Sequence, residues 1–224
     1  MIGTVASCIL FDLDGTLLDS LPGIAFSVQE ACRMVGLPAP ETDLRSLLGP
    51  PIRTILSRAV ATDDPVLLDQ LEQAFRTSYD NEGWRQTSCF DGAQAALEVM
   101  KAEGSRLFVV SNKPRHISLR LLEREGLLQL FERIYTRDSR TPAYHSKHEM
   151  LREFLNDYGV SSSDCLTVGD TMEDATAAAA AGIGFVYMTH GYGESAQTPS
   201  TPIAYKADSF SQFLQLMTQE PVRD

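Results

Sequence analysis

Two carboxylates stand two residues apart in Asp12-Leu13-Asp14-Gly15-Thr16, at the end of a short apolar stretch. At strand spacing both point to the same side, and Gly15 frees the chain to turn. Like charges this close are costly unless a metal or a shared proton relieves them. Taken alone, the run also reads as an ordinary acidic turn. Further along, residues 109–112 (VVSN) end a second apolar stretch in the hydroxyl of Ser111 and the amide of Asn112. Lys147 opens a helical pattern, and residues 168–170 (VGD) with Asp174 bring two more acids to the end of a third stretch.

The stretches that carry these groups are too short for helices and too continuously apolar for half-exposed strands. Residues 7–12 (SCILFD), 106–111 (RLFVVS), 133–136 (RIYT), 165–169 (CLTVG), 184–188 (GFVYM) and 203–207 (IAYKA) therefore read as buried parallel strands. Helical patterns at 92–103, 116–125, 147–158 and 171–181 separate most of them. The alternation predicts an α/β fold, a doubly wound parallel sheet that binds ligands at the carboxyl ends of its strands. All four polar sites then converge on one edge.

One segment breaks the rhythm. Residues 17–86 read as helices at 23–35, 51–60 and 65–79, punctuated by Pro38, Pro40, Gly49, Pro50 and Pro51, with no convincing strand. The expected organisation is a core of residues 1–16 and 87–224 with an inserted helical cap at 17–86, placed over the carboxyl edge of the sheet.

Nineteen basic against thirty acidic residues give a net charge of −11, which disfavours nucleic acid and anionic membrane as partners. An anionic small molecule remains admissible, because a bound divalent cation reverses the local field. Cysteines 8, 32, 89 and 165 stand singly, without CxxC spacing, and read as reduced thiols. The chain has no apolar run long enough to span a bilayer and no leader pattern at its amino end. A cytoplasmic protein, monomer or homodimer, is expected.

The four motifs in this order resemble the haloacid dehalogenase superfamily, and the resemblance extends over essentially the whole chain, including the helical cap after the first motif. It implies a Mg2+-dependent phosphatase acting on a small phosphate monoester. Asp12 would be the nucleophile that forms an aspartyl-phosphate, and Asp14 the general acid and base, with its main-chain carbonyl on the metal. Ser111, the amide of Asn112 and Lys147 would hold the phosphoryl oxygens. Asp12 and Asp170 would ligate Mg2+, with Asp174 ligating through water or orienting that shell.

Some positions depart from the pattern or narrow it. Relatives often carry proline after the third-motif lysine, whereas His148 follows Lys147, and Lys113 beside the second motif is its rival. His145, His148 and Glu149 read as a solvated helix start rather than a second metal site. Asp14 disfavours dehalogenation, since halide leaves without a proton. The 17–86 segment contains no lysine, which argues against a phosphonate-cleaving relative and weakens a sugar-phosphate mutase. A Mg2+- and phosphate-binding regulator without turnover is disfavoured by the intact acids. Residues 12–23, 48–51 and 169–182 look most like phosphoglycolate phosphatases. Arg45 and Arg53 flank the Gly49-Pro50-Pro51 turn and are the candidates for a second anionic group of the substrate. The loop 190–193 (HGYG) lines the site or is a flexible turn.

Overall fold

The computed structural model describes residues 6–193 and 205–218. The chain begins with β1 (Cys8–Phe11), β2 (Leu18–Asp19), α1 (Leu21–Met34), α2 (Ile52–Val60), α3 (Pro65–Asn81) and β3 (Ser88–Cys89). It continues through α4 (Ala93–Ala102), β4 (Arg106–Ser111), α5 (Arg115–Arg124), β5 (Arg133–Thr136) and α6 (Lys147–Tyr158). The last elements are β6 (Cys165–Gly169), α7 (Met172–Ala181), β7 (Gly184–Met188), β8 (Tyr205–Ala207) and α8 (Phe210–Thr218).

Six strands form one parallel sheet in the order β5-β4-β1-β6-β7-β8. Side chains alternate across it as a period of two requires. Ile9, Phe11, Leu107, Val109, Leu166 and Val168 pack with α4, α5 and α8, whereas Cys8, Leu10, Phe108 and Val110 pack with Met150, Leu151 and Phe154 of α6. Burial on both faces explains the uninterrupted apolar runs. The alanines of α7 let that helix lie close against Phe185 and Tyr187 of β7, and left-handed Gly182 ends it.

Helices α1, α2 and α3 follow one another between β2 and β3. Helix α1 packs along α3 and on the 3-10 turn Gly83–Gln86. That contact is backbone on backbone: a Cβ on Gly23 would stand 2.2 Å from the Gly83 carbonyl oxygen. Two features of residues 17–86 differ from expectation. Leu18–Asp19 is a strand, paired antiparallel with Ser88–Cys89, and a 3-10 turn occupies Leu44–Leu47. Pairs of two residues are too short to show a periodic pattern. Residues 203 and 204 of the sixth expected strand, and residues 1–5 of the amino end, lie outside the described residues. Among the described residues no helix is long and apolar enough to cross a membrane.

Candidate active site

Asp12 follows the last residue of β1, and its amide still donates to the Val168 carbonyl at 2.9 Å, so the acid is fixed by the ladder that builds the sheet. The side chain is buried. Its carboxyl is held well above the usual range, first by burial and then by Asp174, Asp170 and Asp14, against the opposing pull of Lys147. Lys147 opens α6 and is itself buried, with Nζ 2.9 Å from Asp12 Oδ1 and 2.5 Å from Asp174 Oδ1. These two acids push the lysine above its ordinary value although burial opposes them.

Asp170 and Asp174 come from the β6–α7 junction. Asp174 is the third residue of α7, where it forms a reciprocal cap with Thr171: its Oδ2 accepts from Thr171 N at 3.1 Å and from Thr171 Oγ1 at 2.5 Å. Its other oxygen faces Lys147. Asp170 accepts from Thr16 Oγ1 at 3.0 Å, from Tyr192 N at 2.7 Å and from Gly193 N at 3.4 Å. Burial, then Asp174, pushes its carboxyl up to about 6, against the Tyr192 N–H, Lys147 and Thr16. One oxygen from each of Asp12, Asp170 and Asp174 lies within 4.8 Å of the others. Among the described residues these three carboxylates share only Lys147 as a close cation, so a small hard divalent ion with oxygen ligands fits the donor set. Gly15 belongs to this cluster by necessity. Its φ is +84°, and a Cβ there would stand 2.2 Å from Asp170 Oδ2.

Asp14 pairs instead with Lys113, whose Nζ lies 2.8 and 3.1 Å from its two oxygens. Both lysines that the sequence left as rivals are therefore in the site, each on a different aspartate. Ser111 is buried at the end of β4, and its Oγ accepts from Lys113 N at 3.3 Å. The Asn112 side chain is turned away to Glu173, at 2.9 Å, and to the Gly49 carbonyl, at 3.5 Å.

Asp12, Asp14, Ser111, Asn112, Lys113 and Lys147 line one cavity of about 570 Å³. Its far wall is formed by residues of α2 and α3 and by the turn Leu48-Gly49-Pro50-Pro51. A Cβ on Gly49 would meet Thr171 Cγ2 at 3.1 Å, so this turn rests on the loop that carries Asp170.

The two candidate arginines are placed differently. Arg53 lines the cavity, but its guanidinium lies 2.6 Å from Asp69 and 3.4 Å from Glu72. Arg45 does not line it. Its Nη2 donates to the carbonyls of His190, at 3.1 Å, and Gly191, at 2.5 Å, and the guanidinium lies 5.5 Å from the Tyr192 ring centroid. Ser146 caps α6 by accepting from Glu149 N, while Glu149 accepts from His145 N at 3.0 Å. That arrangement is a helix start. Among the described residues, the acids of Asp12, Asp170 and Asp174 are the one group that converges for an ion.

The loop 190–193 has a larger part than a turn. Tyr192 holds Asp170 with its amide, and its hydroxyl accepts from the amides of Ser20 and Leu21, at 2.6 and 2.9 Å, while also meeting Asp19 Oδ1 at 2.8 Å. Arg137, one residue beyond β5, also lines the cavity. Its signal was its place at the carboxyl end of an expected strand, where this kind of sheet binds ligands.

A family model for haloacid dehalogenase-like hydrolases matches residues 9–188. The chain is 34% identical over 194 residues to the tyrosine-protein kinase PtkA of Mycobacterium tuberculosis, covering 86% of this chain, and it spans 65% of that relative's length. It is 29% identical over 217 residues to a phosphoglycolate phosphatase of Vibrio vulnificus, covering 93% of this chain and 95% of the relative. A solved structure of a predicted phosphoglycolate phosphatase from Haemophilus somnus superposes with a TM-score of 0.84 at 26% identity, over 95% of this chain and 98% of that one.

Proposed function

The chain belongs to the haloacid dehalogenase-like hydrolases, and from that premise we propose that it is a Mg2+-dependent phosphatase of small phosphate monoesters. The observation that carries the reading is the shared cavity: Asp12, Asp14, Ser111 and Lys147 line one space, with an oxygen of Asp170 and one of Asp174 within 4.8 Å of Asp12. The likeness to a phosphoglycolate phosphatase supports the substrate class.

In this reading a carboxylate oxygen of Asp12 attacks phosphorus and the bond from phosphorus to the ester oxygen breaks. Asp14 gives its proton to the departing alkoxide. It then takes a proton from water, whose oxygen attacks the aspartyl-phosphate, so that inorganic phosphate leaves and Asp12 returns as a carboxylate. Ser111, the main-chain amide of Asn112 and Lys147 donate to the phosphoryl oxygens as charge builds on them. Lys147 already stands beside Asp12, so it needs no large movement to bridge nucleophile and phosphate. Asp12, Asp170 and Asp174 would hold Mg2+, which when bound screens the nucleophile from the phosphoryl charge. Residues 17–86 act as a cap whose turn at 48–51 helps to keep bulk water from the cavity.

Phosphate release from a panel of monoesters, with Mg2+ and with a chelator, tests this. Release that is unaffected by thorough metal removal, or none from any ester, overturns it. A second reading, phosphoryl transfer to a protein tyrosine, is supported by the likeness to PtkA. Its signature is labelled phosphate passing from nucleotide to a tyrosine peptide instead of to water.

A further inference from the structure

Six basic side chains line the cavity: Arg53, Arg76, Lys113, His116, Arg137 and Lys147. Five of them have acidic partners. Arg53 lies against Asp69 and Glu72, Arg76 against Glu72, Lys113 against Asp14, His116 against Asp80, and Lys147 against Asp12 and Asp174. Arg137 is half-buried, and among the described residues no hydrogen-bonding, acidic or aromatic partner meets its guanidinium. A permanently charged fork of five donors, unpaired on a residue that lines this cavity, has an unmet demand for an anion.

The backbone around Arg137 is held firmly. Thr136 is buried and sits in register with Ser111 across β4 and β5. Arg137 therefore leaves the sheet one residue past the phosphate-binding serine of the neighbouring strand, at a lateral spacing of about 5 Å. Its own carbonyl accepts from Tyr144 N at 2.9 Å. The next residue, Asp138, uses its carboxylate to accept from Arg115 N at 2.8 Å and from Thr136 Oγ1 at 2.9 Å. That acid is anchored to the start of α5 and forms no ion pair with Arg137.

We propose that Arg137 is a specificity-determining residue that binds a second anionic group of the substrate, a carboxylate or a second phosphate, apart from the scissile phosphoryl group. The proposal rests on the phosphatase reading and deepens it. It places recognition of the distal anion on the core side of the cavity, whereas Arg53 and Arg76 on the opposite side are already neutralised by Asp69 and Glu72.

The test compares the wild-type chain with Arg137→Ala and Arg137→Lys on 2-phosphoglycolate, fructose 1,6-bisphosphate, glycerol 3-phosphate and para-nitrophenyl phosphate. Loss of one charge-assisted contact lowers kcat/KM roughly 10- to 100-fold for esters carrying the second anion. The other two esters lose no more than about twofold, because they never make that contact. Lysine restores part of the loss as a point charge. Loss confined to 2-phosphoglycolate identifies a carboxylate site, and loss confined to the bisphosphate identifies a second phosphate site. Equal losses on all four esters, or none on the two anionic ones, overturn the assignment. Calorimetric binding of 2-phosphoglycolate, fructose 1,6-bisphosphate and inorganic phosphate to Asp12→Asn, with and without Arg137→Ala, separates this from failure of the phosphatase reading. If the added substitution weakens neither ester relative to inorganic phosphate, Arg137 is excluded. A wild-type chain that releases phosphate from no ester would instead condemn the hydrolase assignment alone.

Discussion

Lys113 is shared between Asp14 and helix α3: its Nζ lies 2.8 Å from Asp14 Oδ1 and 4.9 Å from the centroid of the Tyr79 ring. The lysine is held above its ordinary value by Asp14 and Tyr79 although burial opposes them. The proposed acid-base group and a helix on the far side of the cavity thus meet through one ammonium. A substrate that draws Lys113 toward its phosphoryl oxygens would release Asp14 for proton transfer and loosen the contact with α3 in the same movement.

Asp12→Asn is expected to lower turnover by at least about 10³-fold, since an amide does not attack phosphorus. The same change removes a buried like charge from beside Asp174 and Asp170. Its Tm in chelator should therefore match or exceed that of the wild type. A clear fall in Tm would show that the pairing of Asp12 with Lys147 outweighs the repulsion.

Asp14→Asn separates proton transfer from scaffolding. Alkyl esters, whose leaving groups need a proton, should slow roughly 10²- to 10⁴-fold, and para-nitrophenyl phosphate should slow far less. Similar losses on both ester types would reduce Asp14 to a structural partner of Lys113.

Removing the charge of Lys147 by Lys147→Met leaves Asp12 and Asp174 buried against each other. The expected cost is about 3 kcal/mol in chelator, a fall in Tm of roughly 6–12 °C for a chain of this size. Saturating Mg2+ should recover part of that fall, because the ion takes over the neutralising role. Differential scanning with and without the metal decides it, and an equal fall in both buffers counts against a shared site.

The Asp170 carboxyl, pushed up to about 6 by burial, gives a pH signature. A raised folded value means that, without metal, this group's contribution to stability is complete below its unfolded value and is lost as the pH rises through about 6. Metal binding needs the ionised form, so the rise in Tm produced by Mg2+ should be large at pH 7.5 and should shrink below pH 6. An increment that does not change between pH 7.5 and 5 would exclude Asp170 as a ligand.

Tyr192→Phe keeps the ring and the amide bond to Asp170 but takes the hydroxyl from the amides of Ser20 and Leu21. Leaving buried donors without a partner costs about 1–3 kcal/mol. Chemical denaturation should show this loss with Mg2+ affinity unchanged; weakened affinity would mean that the hydroxyl also positions Asp170.

Most of the scaffold is legible in the residues. Runs such as those ending at Asp12 and Ser111 are buried on both faces of the sheet, so hydrophobicity alone marks them, and Gly182 and Ser146 mark helix boundaries through local chemistry. Two-residue strands carry no such pattern, which is why β2 and β3 escape a linear reading. The site divides in the same way. Asp12, Asp14, Asp170 and Asp174 stand in recognisable local motifs, whereas the partner of a long side chain is set by residues remote in sequence. Arg45 looks free beside its turn until His190 and Gly191 are folded against it, and Arg137, though it follows an expected strand, stands out only once every other cation of the cavity is seen to be paired.

Because Asp19 faces Ser88 across the β2–β3 ladder, residues 20–87 leave and rejoin the core at a single point. In terms of inheritance the segment is a module on a closed stalk, and a two-residue Asn-Gly turn spans the gap it would leave. Its replacement or enlargement leaves the register of the six-stranded sheet untouched. Residues 20–87 can then be exchanged without re-threading the six-stranded sheet, and whatever selectivity resides in Arg137 is carried with the strands.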